Sequence, residues 1–547
     1  MSLPNPVLRT VRKAFKSESI RIVDVDVRSY PEETIIVVRV NESDLTNAVE
    51  IANTLDATLA KQGFKGFVTV KKSNDITTRQ FGERVVDLAD PRVGEVVNLL
   101  TARSRTTELQ PSLEYIHDAK NNIASAHSAR HHLIFGRRGS GKTALLAETK
   151  RTTDAADSFS VWINLQTYRH ESEAAVLLHI TRRLCEMMQS HFRSARRAPV
   201  VLDAVDEILL VIESHLEDSK VTVTSVRKLI PKIQRLVRRF LDTTDGAVYI
   251  FLDDFHYLEK CNQPMLLDML HGCVRDCNAW LKIAAIQHLT RWYDPGTKLG
   301  LQSGHDAATI NLDITLQDPR SAKKFLEKML LSYVRHCGIS TFNHIYTAKA
   351  ALDRLVLASG AVPRDYLTLC STSIQEAQRR PKAKRVGVQD VNKAAGDAKQ
   401  KKIDELEDDA ATGGESDIAI STLEQVRRFC LDERFWTYFR IEFQEKESQM
   451  EEYQRLQVLT DLRLIHLVEP SLSDEKKAGH RSEVYMLDLS QFAGQRLKRK
   501  LNVLDFVGGN LVLRRTGTQQ NDIVGDSANR RLSLLRRSPQ MELEYLS

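Results

Sequence analysis

The sequence predicts an α/β fold: a parallel-sheet core carrying a glycine-rich loop, a helical lid, a small N-terminal α/β domain and a C-terminal winged helix. Three observations carry this expectation. The apolar run Leu133 to Phe135 leads without a gap into Gly136 to Thr143, GRRGSGKT, and then into a helix start at Ala144 to Thr149. A second apolar run, Val248 to Leu252, ends in Asp253 and Asp254. A third, within Asn278 to Gln287, also ends in polar residues. Continuous apolar strands of this kind are buried on both faces and deliver their C-terminal residues to the ligand edge of an α/β sheet.

The glycine loop is the most specific signal. Strand, G-x-x-x-x-G-K-[ST] and helix in that order define a P-loop, the phosphate cradle of nucleoside triphosphatases. Glycines at 136, 139 and 141 let the backbone wrap a phosphate with its N–H groups inward, and the helix N-terminus adds partial positive charge. The expected nucleotide-binding residues are Gly136, Arg137, Arg138, Gly139, Ser140, Gly141, Lys142, Thr143 and Ala144. Lys142 reaches the β- and γ-phosphates and the Thr143 hydroxyl ligates Mg²⁺. Downstream, Asp253 is the second expected Mg²⁺ residue and Asp254 the group that orients the attacking water. The expected cofactors are therefore ATP and Mg²⁺.

Composition narrows the setting. At 547 residues the chain is long enough for three or four domains, and 42% hydrophobic residues suffice for their cores. A net charge of +6 with a pI near 8.8 is compatible with double-stranded DNA as a partner without requiring it. The N-terminal segment has no apolar stretch of signal-peptide length, and no window approaches the ~18 apolar residues of a membrane span. The seven cysteines are scattered and odd in number, as expected for reduced thiols in a cytoplasmic chain.

Taken in order, residues 20–72 alternate as a β-β-α-β domain. Residues 73–90 read as a polar connector, and Arg103 to Ile123 as a segment that leads into the first core strand, there to pack on the core or to contact the adenine. The core spans 100–315, with Phe159 to Leu165 as a strand and amphipathic helices over 174–188, 199–217 and 223–241. Gln287 is preferred over His288 as the polar strand-end residue facing the γ-phosphate. Arg275 and Arg291 are candidate fingers onto a neighbouring subunit's nucleotide. The lid covers 316–380; Gly360 breaks it, Pro363 opens its last helix, and Arg364 at that helix start is placed to lie over the γ-phosphate. Residues 381–417 carry opposed charge blocks and read as a partly disordered linker. Residues 418–506 read as the winged helix, with a helix at Met450 to Leu462, wing strands at 464–468 and 483–489, and a tip holding Lys476, Lys477, His480 and Arg481. Residues 507–547 are expected to be a flexible tail.

P-loop, acidic-ended strand, polar-ended strand, G-x-x-P-R lid and winged helix, in that order, resemble the origin-recognition and replication-initiator branch of AAA+ ATPases over about residues 100–505. The resemblance implies slow ATP hydrolysis coupled to assembly on DNA, with Lys142, Gln287, Asp254 and Arg364 in catalytic roles. It also implies a partner, either further copies of the chain in a homo-oligomer or a protein effector. The sequence departs from that pattern in its long interval between the two nucleotide motifs and in its N-terminal domain. The Asp-Asp strand end, the lid proline and the winged helix also resemble STAND-type signalling ATPases, in which nucleotide holds a closed form and DNA binding is not required.

Overall fold

The structure is a computed structural model. It describes every residue except 1–4, 19, 21, 30–33, 41–43, 62–63, 65, 73–86, 105–106, 109–112, 114, 118–120, 157, 196–198, 218–220, 245, 410–414, 476–478, 494–499 and 518–521. The expected connector to residue 86 and the tip lysines Lys476 and Lys477 therefore lie outside the described residues. The chain forms two compact units, 1–85 and 86–547.

The first unit contains α1 (Asn5–Ser17), β1 (Ile22–Ser29), β2 (Thr34–Val40), α2 (Leu45–Lys61) and β3 (Gly66–Lys72). β1 pairs antiparallel and β3 parallel with the central β2. The β-β-α-β pattern read from the sequence is present, with α1 added: Val11 and Phe15 bury its inner face against the core that includes Ile36, Val38 and Leu59.

The second unit opens with α3 (Pro91–Ala102), capped by the Asp90 side chain, and α4 (Asn122–His127). The core then runs β4 (His131–Phe135), α5 (Lys142–Ala155), β5 (Phe159–Asn164), α6 (Glu173–Ala195), α7 (Pro199–Glu217), α8 (Val223–Arg227), α9 (Ile230–Asp242), β6 (Val248–Asp253), α10 (Gln263–Val274) and β7 (Ala279–Ala285). A small hairpin of β8 (Tyr293–Asp294) and β9 (Leu299–Gly300) precedes β10 (Ala307–Asn311). The sheet is five-stranded and parallel in the order β10-β4-β7-β6-β5. Its two faces bury separate clusters, one under α6, α9 and α10 and one around Leu145, Leu146, Phe251 and Ile310. This explains why β4 and β6 are buried at every position rather than at alternate ones. The helix expected over 223–241 is split, because Pro231 starts a new helix at α9.

Beyond the sheet come α11 (Pro319–His336), α12 (Ala348–Ala358), α13 (Pro363–Gln378), α14 (Val388–Asp409) and α15 (Glu415–Arg427). An antiparallel sheet in the order β11-β13-β12 follows, built from β11 (Tyr438–Glu442), β12 (Ile465–Ser473) and β13 (Arg481–Leu487), with α16 (Phe443–Ser448) and α17 (Met450–Asp461) between its strands. A second, β14-β15-β16, uses β14 (Asn502–Val507), β15 (Asn510–Arg515) and β16 (Ile523–Gly525) and leads to α18 (Ala528–Arg536).

Two expectations from the sequence are overturned here. Most of the 381–417 stretch is α14, whose Val391, Ala394 and Ala395 are buried in the same cluster as the lid, and whose Asp390 and Lys402 are buried with them while its other charges are less covered. Residues 507–547 are not a flexible tail over their described length, since β15, β16 and α18 are ordered and Met541, Leu543 and Leu546 are buried against the C-terminal helices and sheet. A few well-placed apolar residues suffice to fix a polar segment when a preformed groove accepts them.

Candidate nucleotide-binding site

β4 delivers the chain to a loop whose conformation only glycine adopts without strain at two points, Gly139 at φ 78° and Gly141 at φ 101°. A Cβ on Gly139 would lie 2.7 Å from the Arg364 Cβ, so the lid sits directly on the loop. The Arg364 N–H donates to the Gly139 carbonyl at 3.3 Å. Pro363 at the first turn of α13 sets this approach, and its lack of an N–H leaves no unmet donor there.

Lys142 begins α5 and folds back over the loop, donating from Nζ to the Gly136 carbonyl at 2.8 Å and the Arg137 carbonyl at 3.1 Å. Burial lowers its pKa, while Asp313, Asp254 and Asp253 oppose that. Asp253, at the end of β6, is 1% exposed. Burial, and then the neighbouring Asp254, push its carboxyl up to about 7, against the Thr143 hydroxyl that donates to it. Asp254 occupies the left-handed region at φ 58°, which turns its side chain out of the strand direction. Its Oδ2 accepts from Asn164 Nδ2 at 3.3 Å, because β5 and β6 pair in register with Asn164 opposite Asp253.

These groups line one cavity of about 950 Å³, within the size range of small-molecule sites. Arg138, Gly139, Ser140, Gly141, Lys142, Thr143, Ala144, Asp253, Asp254 and Arg364 are on its wall. Apolar side chains also line it, among them Ile116 from the segment before β4 and Met329 and Leu367 from the lid. Thr143 and Asp253 are hard oxygen donors, and Mg²⁺ takes only one or two protein ligands beside phosphate and water. Among the described residues no group of three or more His, Cys, Asp or Glu side chains could hold a metal ion.

Three expected site residues lie elsewhere. Gly136 sits behind the wall, its carbonyl taken by Lys142. Arg137 is buried but points away from the cavity: its N–H and guanidinium engage Asp313, Nη2 donates to the Ile314 carbonyl at 2.9 Å, and Nη1 meets His466 Nδ1 at 3.4 Å. Gln287 is exposed and off the cavity, because β7 ends at Ala285, Ile286 takes the buried side, and a tight turn at Gln287–Leu289 throws the side chain outward. His288 beside it pairs with Asp461 of α17. Arg291 pairs with Asp294, and Arg275 contacts His271.

Asn164 and Arg463 are among the wall residues that were not expected. Asn164 was legible in principle, as a polar residue ending an apolar strand. Arg463 follows α17 and reaches the cavity from residues 418–506. Its Nη1 pairs with Asp365 at 2.6 Å, and a buried chain of charges continues from there. Lys402 Nζ lies 3.4 Å from Asp365 and 2.9 Å from Asp488, and His466 Nε2 donates to Asp488 at 2.7 Å. Burial alone would raise both carboxyls; Arg463 and Lys402 hold Asp365 low, and Lys402 and His466 hold Asp488 well below the usual carboxylate range. Burial lowers the pKa of His466, leaving Nδ1 as the acceptor for Arg137.

A parallel sheet, a glycine loop at its ligand edge and an acid-ended strand beside it are the parts of a P-loop nucleotide-binding fold. Residues 110–276 match the AAA ATPase domain family. No curated protein matches the chain. Among solved structures the chain is similar to the Aeropyrum pernix ORC1 protein in complex with DNA, at 14% identity and TM-score 0.34, over 75% of this chain and 92% of that one. It is also similar to Cdc6p from Pyrobaculum aerophilum, at 13% identity and TM-score 0.30, over 66% and 85%. Drosophila ORC bound to DNA follows at 11% identity and TM-score 0.28, over 65% and 87%. No helix among the described residues is long and apolar enough to cross a membrane.

Proposed function

We propose that the chain binds ATP with Mg²⁺ in this cavity, hydrolyses it slowly, and uses the nucleotide state to position a C-terminal winged-helix module, so coupling ATP to assembly on DNA or on a protein partner. The observation that carries this reading is the buried connection from the loop to that module, Arg137 to His466, running beside a wall that gathers Lys142, Asp253 and Arg364. Lys142 holds the β- and γ-phosphates, and Thr143 and Asp253 hold Mg²⁺, which when bound offsets phosphate charge. Asp254, steadied by Asn164, orients the attacking water. Arg364 reads the γ-phosphate from the lid.

Lys142→Ala should abolish ATP binding by the full chain, and Asp254→Asn should bind ATP yet release no phosphate. Unchanged affinity in the first variant refutes the site. A second reading, a signalling switch without DNA binding, is favoured by Glu451 and Glu452 in the first turn of α17, where a DNA-docking helix would face phosphate. A gel shift that weakens steeply with salt supports DNA as the partner; no shift at low salt supports the switch.

A further inference from the structure

We infer that Arg463 is a phosphate ligand that the C-terminal module supplies to the nucleotide cavity of its own chain. The inference rests on reading the cavity as a nucleoside triphosphate site. It begins from the backbone. α17 ends in a Schellman turn: the Leu464 N–H donates to the Leu459 carbonyl at 2.9 Å, and the Arg463 N–H to the Thr460 carbonyl at 3.1 Å. Arg463 is the residue of that turn with positive φ, at 62°. Glycine is the ordinary occupant of this position, and any other residue there is strained. An arginine kept at a glycine position, with its side chain 4% exposed and on the cavity wall, points to a use for the guanidinium.

The surrounding charges fit an exchange of partners. Asp365, which holds Arg463, directly follows Arg364, and the Arg364 N–H is bonded to the phosphate loop at Gly139. Asp365 also has Lys402 near its other oxygen, and Lys402 donates to the Arg463 carbonyl at 3.1 Å. When a polyphosphate enters, the guanidinium can turn to it while Lys402 still balances Asp365 and still anchors the Arg463 backbone. A planar guanidinium offers two parallel donors to phosphate oxygens, which a lysine does not. ATP would thereby be held from three sides: loop, lid and C-terminal module.

The test measures equilibrium binding of fluorescent ATP and ADP, and of unlabelled ATP, inorganic triphosphate and adenosine by competition, to the full chain with Mg²⁺. Arg463→Gly keeps the backbone turn and should lose roughly tenfold to a hundredfold in affinity for ATP and for triphosphate, the range of one charge-assisted hydrogen bond, with adenosine unaffected. Arg463→Lys should recover part of this. Asp365→Asn should bind ATP more tightly than wild type, because Arg463 no longer has a competing carboxylate. A purely structural ion pair gives the reverse, so weaker or unchanged ATP binding by Asp365→Asn, or wild-type affinity in Arg463→Gly, overturns the inference. Should Arg463→Gly not fold, Arg463→Lys and Asp365→Asn decide. Lack of ATP binding by the wild-type chain, or no effect of Lys142→Ala, refutes the nucleotide site itself.

Discussion

Replacing Asp253 by asparagine should stabilise the nucleotide-free protein, and more so as pH rises. Asp253 is 1% exposed, and burial together with Asp254 moves its carboxyl from 3.8 to about 7. The folded state therefore keeps a proton that the unfolded chain releases near pH 4. Stability from this group is lost as pH rises through that window, and the loss is complete above about pH 7. The burden on the folded state is on the order of a few kcal/mol at pH 8, and on the order of 1 kcal/mol of it develops between pH 6 and 8. Asparagine carries no charge at any of these values and can still accept from the Thr143 hydroxyl and from the Asp254 N–H, bonded at 3.0 Å in wild type. Urea unfolding of wild type and Asp253→Asn, without nucleotide and with EDTA, at pH 6 and pH 8 isolates the effect. The gap between the two should widen by something on the order of 1 kcal/mol at the higher pH, and Mg²⁺ with ATP should narrow it by stabilising the wild type more than the variant. Parallel pH dependences in the two proteins would refute a desolvated Asp253.

Asn164→Ala removes the group that steadies Asp254 and touches no other catalytic side chain, so phosphate release should fall roughly ten- to a hundredfold while ATP affinity stays near wild type. Gly139→Ala forces a left-handed alanine, at about 1–2 kcal/mol, and drives a methyl into Arg364; ATP should then raise the melting temperature far less than in wild type. Deleting 538–547 uncovers the sites of Met541, Leu543 and Leu546, each 1% exposed or less, and forfeits about 5 kcal/mol of burial. Rapid proteolysis of residues 415–537 should follow; an unchanged digestion pattern would show that the segment contributes nothing.

Legibility tracked the range over which a residue's environment is set. The loop from Gly136 to Thr143 and the strand ending at Asp253 are local patterns, and their chemistry follows from strand, turn and helix alone. Asn164 obeyed the same strand-end rule that was applied to Gln287, and only the lengths of the strands decide between them: β5 carries Asn164 to the edge, whereas β7 stops two residues before Gln287. Arg137 shows a different limit. A P-loop motif fixes the backbone of its variable positions and not the direction of their side chains, and Arg137 is drawn away by His466, 329 residues later. Arg463 carried no sequence signal, since a Schellman turn at an arginine is visible only once φ is known. Residues 381–417 and 507–547 depart from their expected disorder because a few apolar residues, Val391, Ala394 and Ala395 in the first and Met541, Leu543 and Leu546 in the second, anchor stretches whose composition is otherwise polar.

The link between loop and C-terminal module is made of charges where apolar side chains would serve stability as well. Arg137, Asp365, Lys402, Arg463, His466 and Asp488 are all buried, and taking such groups from water costs several kcal/mol per ion. Hydrophobic replacements of similar volume would hold the same surfaces together at no loss, and often with gain. What an apolar seam cannot do is answer to an anion. A phosphate entering beside Arg364 competes for Arg463 and changes the balance along Asp365, Lys402 and Asp488 as far as His466, whose ring packs on Gly360 of the lid. On that inference, opening the pair at one end leaves a buried charge to be re-matched at the next, and the network then couples the nucleotide to the C-terminal module. The same chemistry that makes this seam a poor source of stability makes it responsive to the nucleotide.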